Sequence, residues 1–273
     1  MLNLETIYDA YLDRLQEERE NEHKEYKEWF SGSSAGSCYK KQWYRLNDYE
    51  PEPFDARTKR LLRLGTVVHK DFEDAIIEHA YKERIEILTE HEIKIPELKV
   101  IGHLDHCVVI KDNDKVDIYV GDLKTLASYS WTKKFGRDAK KRGINVHSIL
   151  GHYELQVGTY ALGMLLQIAP DTFKPMLDDP AMFDFIDDFE NDIALKIVWY
   201  NKNDSRMNVT QIPNEAIKAA LSYWLDLNEF IDAGSDLECT LDISDIAPGG
   251  AIGVPMMDWE CNYCQFSKIC KGS

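Results

Sequence analysis

The chain has 273 residues, enough to bury a substantial core as one large domain or as a domain with an appendage. Apolar residues make up 44% and charged residues 29%, an ordinary globular balance, and no apolar run is long enough to cross a bilayer. The net charge of −16 argues against a protein that coats nucleic acid through a basic surface, but not against an enzyme that grips it locally.

The opening stretch, MLNLETIYDAYLDRLQEERE, is charged throughout and lacks the apolar centre of a signal peptide. A cytoplasmic location is expected, the host's cytoplasm for a viral protein, and in that reducing compartment six cysteines suggest metal ligation before disulfides. Residues 2 to about 30 predict a helix, with Leu4, Ile7, Tyr8, Tyr11, Leu12 and Leu15 at helical spacing. Ser31 to Ser37 is a small-residue break, so residues 1–37 form an N-terminal helical segment ahead of a single domain over 38–273. A second helix is predicted from about Ala56 to His79, with Leu61, Leu64, Val68, Phe72 and Ile76 facing inward. The period then changes to two. Ile85 to Ile95, Lys99 to Ile110 and Val116 to Leu123 read as three strands of an antiparallel meander, with turns marked by Pro96 and by Asp112-Asn113-Asp114.

From about Ile149 to Ile168 the pattern is helical again, and Ile193 to Trp199 alternates as a strand. The acidic LDDPAMFDFIDDFEND between them carries no readable role. Asn214 to Ala233 predicts an amphipathic helix, and a Pro/Gly-rich stretch from Pro248 to Pro255 leads to the cysteine-rich end. The order helix, meander, helix, strand implies a mixed α/β domain with a central sheet flanked by helices.

The chemistry concentrates on the meander. In the third strand Val116, Ile118, Val120, Asp122 and Lys124 share one face, an apolar row ending in a carboxylate and an ammonium. The second strand supplies Asp105 in GHLDH, where Gly102 leaves room for another chain or a ligand. Two carboxylates on neighbouring strands with a backbone carbonyl suit a hard divalent cation, and a nearby lysine can orient its water and steady a phosphate oxygen. One local run is basic: Lys133, Lys134, Arg137, Lys140, Lys141 and Arg142, opposed only by Asp138, either a solvated face or a nucleic-acid contact. Cys261, Cys264 and Cys270 cluster as C-x2-C-x5-C at the C-terminal end, and Cys38 is the candidate fourth ligand. Four thiolates suit zinc and an iron–sulfur cluster equally. Cys107 and Cys239 read as plain structural thiols.

GHLDH, with GDLKT following, resembles the signature of PD-(D/E)XK nucleases, Leu104 standing where the name has proline. LGTVVHKDFE places His69 on a helix before the strands, and HYELQVGTY places Gln156 and Tyr160 four residues apart on one helix face, as in RecB-like members. One upstream and three C-terminal cysteines resemble the iron–sulfur branch, that of AddB and the CRISPR-associated Cas-four family. The resemblance runs from Cys38 to Cys270 and implies a restriction-endonuclease-like core whose termini are clasped by a [4Fe–4S] cluster on Cys38, Cys261, Cys264 and Cys270. It further implies that His69, Asp105, Asp122 and the Leu123 carbonyl bind Mn²⁺ or Mg²⁺, the imidazole favouring Mn²⁺. Lys124 would position water and phosphate, and Gln156 and Tyr160 would orient the lysine, the water or the backbone of the substrate. Glu73 and Glu92 are candidates for supporting the ligands, although both also read as exposed carboxylates, and His152 shares the Gln156 face.

The implied activity is that of a DNA exonuclease on single strands or ends, in phage or bacterial recombination, repair, replication or CRISPR-type processing. Unwinding would need a partner, since no GxxxxGK[ST] loop is present; a helicase, a recombinase or CRISPR adaptation proteins are the expected company, with no membrane. Two alternatives stand beside it: a non-catalytic DNA-end-binding or scaffolding subunit, and a structure-specific endonuclease.

Overall fold

The computed structural model describes residues 3–22, 26–112, 115–136, 151–178, 181, 193–234, 260–261 and 263–272. Its longer α-helices are α1 (Leu4–Glu22), α2 (Tyr39–Leu46), α3 (Ala56–Glu83), α4 (Ser128–Phe135), α5 (His152–Ile168), α6 (Glu215–Ala233) and α7 (Ser267–Gly272), with a single turn at Pro170–Phe173. Its strands are β1 (Phe30–Ser31), β2 (Ile87–Ile95), β3 (Val100–Asp112), β4 (Lys115–Leu126), β5 (Ile193–Asn201) and β6 (Met207–Ile212). The fold is mixed α/β, a central mixed sheet with helices against it. Among the described residues no helix is long and apolar enough to cross a membrane.

The sheet is a meander that then changes hand of pairing. β2, β3 and β4 run antiparallel in succession, β5 lies parallel to β4, and β6 closes antiparallel on β5. A parallel partner cannot be reached by a tight turn, so the chain crosses over through α5 before returning as β5. β2 covers one edge of β3 from Val100 to Val108, so the other edge is shared. β1 takes Val100 and Ile101 in parallel, and β4 takes His106 to Asp112. Between them, Gly102 to Asp105 have no strand neighbour on that edge, and the sheet is split there.

α5 is the core helix. Every residue from Glu154 to Leu165 is buried, as expected for a helix enclosed on all sides by sheet and helix. Two glycines set how closely it is held. A Cβ on Gly158 would lie 2.1 Å from the Ala216 carbonyl oxygen of α6, and one on Gly163 would lie 1.9 Å from Ile93 Cγ2 of β2. α3 begins with Asp55 accepting a hydrogen bond from Thr58 N at 2.7 Å, and ends at Arg84 in the left-handed region.

Two expectations are corrected. The first helix ends at Glu22 instead of running to about 30, and Phe30–Ser31 pair with β3. Leu61 and Leu64 do not face inward: both are exposed, because α3 packs mainly through half-buried positions such as Val68, Phe72 and Ile76. Gly102 does leave room for another stretch of chain: the backbone of Gly32 and the ring of Tyr160 come against it. Elements not foreseen are α2, α4 and β6. Most of the acidic stretch (182–192), Cys239, Pro248 to Pro255 and the 113–114 turn lie outside the described residues.

Gly158→Ala should lower stability by about 1–3 kcal/mol, the cost of forcing a methyl against main chain that must move. Urea unfolding of the two proteins checks it; an unchanged midpoint would show that α5 and α6 are not held at this distance.

Candidate functional site

The split in the sheet is where the polar groups gather. The β3–β4 register pairs His106 with Gly121, and one residue further it would set Asp105 opposite Asp122. The strands part there, and the Asp105 carboxylate replaces the missing ladder bond by accepting from Leu123 N at 2.6 Å. Asp122 is fully buried. Its Oδ1 accepts from Lys124 Nζ at 2.9 Å and from Gln156 Nε2 at 3.2 Å. Gln156 Nε2 also donates to the Tyr160 hydroxyl at 3.1 Å. Lys124 Nζ lies 2.9 Å from Oδ2 as well, but outside hydrogen-bond geometry, so that buried oxygen is left without a hydrogen-bond donor. The lysine ammonium sits 5.6 Å from the centre of the Tyr153 ring.

α3 brings His69 from the other side. Its Nδ1 is 3.5 Å from Asp105 Oδ2. Burial and the Lys124 charge depress its pKa, while the Asp122 charge and then the Leu123 backbone act against them. Burial pushes the carboxyls of Asp105 and Asp122 up, against the pull of Lys124, whose own pKa the two carboxylates hold above the ordinary lysine value despite its burial.

The sequence-predicted residues His69, Asp105, Asp122, Leu123, Lys124, Gln156 and Tyr160 therefore stand in one contiguous cluster. Ligand atoms at right angles on an ion about 2.1 Å away are roughly 3 Å apart, close to the His69–Asp105 gap. Asp122 Oδ2, which makes no hydrogen bond and is held only by the ion pair with Lys124, could turn to a bound cation. As placed, however, no three His, Cys, Asp or Glu side chains among the described residues form a group able to hold a metal ion. The donor chemistry fits a divalent cation; side chains would have to close on it.

Around this cluster several candidates resolve. Glu73 pairs with Lys70 at 2.9 Å, yet its charge reaches Asp105 together with that of Glu90. Glu90, unforeseen from sequence, stands in β2 with φ 45°, its carboxyl raised by burial and by Glu73. Glu92 is exposed. His152 hydrogen-bonds through Nδ1 to the Ala35 carbonyl, which anchors the start of α5. In the basic run, Lys134 pairs with buried Glu154 at 3.3 Å and lies over Trp199, so it locks α4 to α5 instead of facing solvent. Lys133 lies over the exposed Tyr129 ring, and Arg137, Lys140, Lys141 and Arg142 fall outside the described residues.

Glycines of the motifs have physical occupants. A Cβ on Gly121 would meet His106 Nε2 at 1.9 Å, and Cβ atoms on Gly32 and Gly102 would meet the Tyr160 ring at 2.9 and 3.0 Å. Both glycines make room for the Tyr160 ring, which the four-residue helical step already sets beside Gln156.

The cysteines make a second cluster. Cys38, Cys261, Cys264 and Cys270 line one pocket with Lys40, Lys41, Tyr44, Glu260, Phe266 and Ser267. Cys38 N donates to both Glu260 oxygens, at 3.0 and 3.2 Å. Glu52 N donates to Gln265 O at 2.9 Å, Gln265 Nε2 returns to Glu52 O at 2.7 Å, and Tyr44 stacks on Phe266. Phe266 N donates to Cys264 Sγ at 3.4 Å, a contact that favours thiolate, while burial raises that thiol's pKa. The four cysteines share one pocket and are of the donor type that a soft metal or cluster takes, although as placed they form no metal-holding group among the described residues. Cys107 is instead buried in the core, its thiol pushed up to about 12 by burial.

No protein-family model matches the chain, and no curated protein matches it. Among solved structures, that of SSO0001 is similar at 14% identity and a TM-score of 0.47, over 96% of this chain and 95% of that one, too distant a likeness to assign a fold or an activity.

His106 is nearly buried and its pKa falls to about 4, through burial and then the His69 charge. A depressed base is protonated first in the unfolded chain, so its stabilisation is complete above about pH 6.5 and is lost as pH falls toward 4. His106→Phe should flatten the loss of stability between these pH values by at most about 3 kcal/mol, read from chemical unfolding at a series of pH values. An equal slope in both proteins would mean that the imidazole is solvated.

Proposed function

We propose that the chain is a metal-dependent deoxyribonuclease of the RecB-like PD-(D/E)XK type, with an iron–sulfur clasp, acting as an exonuclease on single-stranded DNA or DNA ends. The observation that carries this reading is the meeting of Asp105, Asp122, Lys124 and His69 at the split between β3 and β4, with a buried Asp122 oxygen that has no donor. The helix, meander, helix, strand order supports it too, as does the contact of Gln156 with both Asp122 and Tyr160. A structural ion pair alone would not need a histidine and a second carboxylate arriving from two other elements.

In this reading His69, Asp105, Asp122 and the Leu123 carbonyl hold Mn²⁺ or Mg²⁺, which supplies activation of a water and neutralisation of charge on the phosphate. Lys124 stays protonated, because the two carboxylates outweigh its burial, and so presents a positive charge for a phosphate oxygen. Gln156 fixes the Asp122 carboxylate by its Oδ1, and Tyr160 fixes Gln156. The depressed His69 pKa keeps its ring neutral at pH 7, the form that ligates. Cys38, Cys261, Cys264 and Cys270 hold a [4Fe–4S] cluster, or zinc, whose contribution is a cross-link between the two ends of the described chain.

The test is cleavage of end-labelled linear single-stranded DNA with Mn²⁺, Mg²⁺ or EDTA. Metal-dependent shortening should fall at least about 100-fold in Lys124→Ala and Asp122→Ala, with circular single strands left intact. Normal turnover in Asp122→Ala would remove the site assignment, and cutting of circles would make the enzyme an endonuclease. Anaerobically purified protein that binds ends but cuts nothing in either metal would be a scaffolding subunit.

Cys261→Ala should lose most bound iron or zinc and much of its solubility while the folded fraction still cuts DNA. Metal analysis and the visible absorption of anaerobic protein check this, and full metal content in the variant would remove Cys261 from the ligand set.

A further inference from the structure

We propose that Lys202 is a second phosphate-holding cation, gripping the backbone phosphate next to the one at Lys124 and so positioning a single-stranded nucleic-acid substrate; this deepens the nuclease reading and rests on it. Lys202 opens the turn after β5, and its backbone N donates to Leu126 O, the last residue of β4, at 2.8 Å. Its side chain crosses to α3, where Nζ donates to the Leu61 carbonyl at 3.0 Å. A Cβ on Gly65 would lie 3.9 Å from that ammonium and 3.3 Å from Thr125 Oγ1, so a glycine lets α3 close on this rim. Leu61, Gly65 and His69 follow at four-residue intervals on one face of α3, and each interval advances about 6 Å. The ammonium thus sits about one turn from His69, near enough for its charge to depress the imidazole.

Several lysines around the site are compensated: Lys70 by Glu73 and Asp74, Lys59 by Asp13, Lys134 by Glu154, Lys124 by Asp122. Among the described residues no carboxylate pairs with Lys202. Its acceptor is a carbonyl inside α3 that an intrahelical bond also uses. Half-burying a positive charge on so weak a partner is unfavourable unless an anion arrives. β4 and β5 are parallel and end together at this rim, Leu126 beside Asn201, and the carboxyl ends of parallel strands are where α/β proteins take ligands. A lysine is a point charge without a fork, so the contact is to phosphate and carries no base preference.

The experiment is fluorescence anisotropy of labelled oligothymidylate in EDTA, over a salt series, with wild type, Lys202→Gln, Lys202→Arg and Lys82→Met. Gln keeps a donor for the Leu61 carbonyl while removing the charge, and Lys82, exposed and paired with Glu78, is the control. Lys202→Gln should weaken binding about fivefold or more and reduce the salt slope by about 0.7, the loss of one phosphate contact on a single strand. Lys202→Arg should restore most of both, Lys82→Met should match wild type, and in Mn²⁺ the Gln variant should show a raised KM with kcat held. Unchanged affinity and slope in a Gln variant of a wild type that binds and cuts would overturn the proposal alone. So would a fall in kcat with slope and KM unchanged, which would mean that Lys202 acts only on His69. A wild type that neither binds nor cuts would remove the nuclease reading, and this proposal with it.

Discussion

The structure depends on one unfavourable act, the burial of a carboxylate and an ammonium at the end of an apolar strand. Asp122 is fully buried and Lys124 nearly so, and such a pair recovers its desolvation cost only when the remaining polar atoms are satisfied. Much of the surrounding architecture supplies those partners. Gln156 reaches Asp122 from a helix buried on every side, Tyr160 steadies Gln156, and the Tyr153 ring lies beside the ammonium. For Tyr160 to lie where it does, Gly32 and Gly102 must lack side chains, which draws the segment before α2 and the start of β3 into the same arrangement. One Asp122 oxygen nonetheless stays without a donor. A fold built only for stability would often replace such a pair with apolar residues, which is why the pair supports the proposed site.

The second constraint is closure. Residues 38–52 meet residues 260–268 through Glu260 on Cys38 N, the reciprocal Glu52–Gln265 bonds and the Tyr44–Phe266 stack. More than two hundred residues lie between these segments, and the entropy of joining ends grows only slowly with such length. None of these contacts uses a sulfur side chain, so the walls of the cysteine pocket come together by protein–protein contacts. A metal there would reinforce a junction that hydrogen bonds already define.

The parts of the site legible in the sequence are those fixed by period and spacing. Strand alternation alone puts Asp122 and Lys124 on one face with Val120 and Ile118, and a four-residue step alone puts Gln156 beneath Tyr160. Helix and strand order followed from the same periods, with ends off by a few residues, except that the first helix was carried on to about residue 30, where Phe30–Ser31 form a strand. What could not be read depends on long-range partners. The exposure of Leu61 and Leu64 follows from how α3 lies on the sheet, which no helical pattern encodes. The role of Gly102 required knowing that Tyr160 packs on it, and Glu90 enters the field of Asp105 only through the β2–β3 pairing. Lys134 read as a surface charge until Glu154, twenty residues on, proved to be its partner.

Net charge and local charge also come apart here for a physical reason. At −16 the surface as a whole repels a polyanion, and at about 0.15 M salt that repulsion is screened within about 8 Å. What a phosphate meets at close range is therefore set by the few groups at the sheet's split and rim. Asp105 and Asp122 are there, but partly offset by Lys124, and a divalent cation would reverse their sign. Lys202 adds a positive charge at the ends of the same strands, held to α3 and β4 at once. Under the proposed nuclease reading, acidity elsewhere would favour selectivity: duplex or protein-bound nucleic acid would gain little from the general surface, and only a strand that threads to the rim would find compensation.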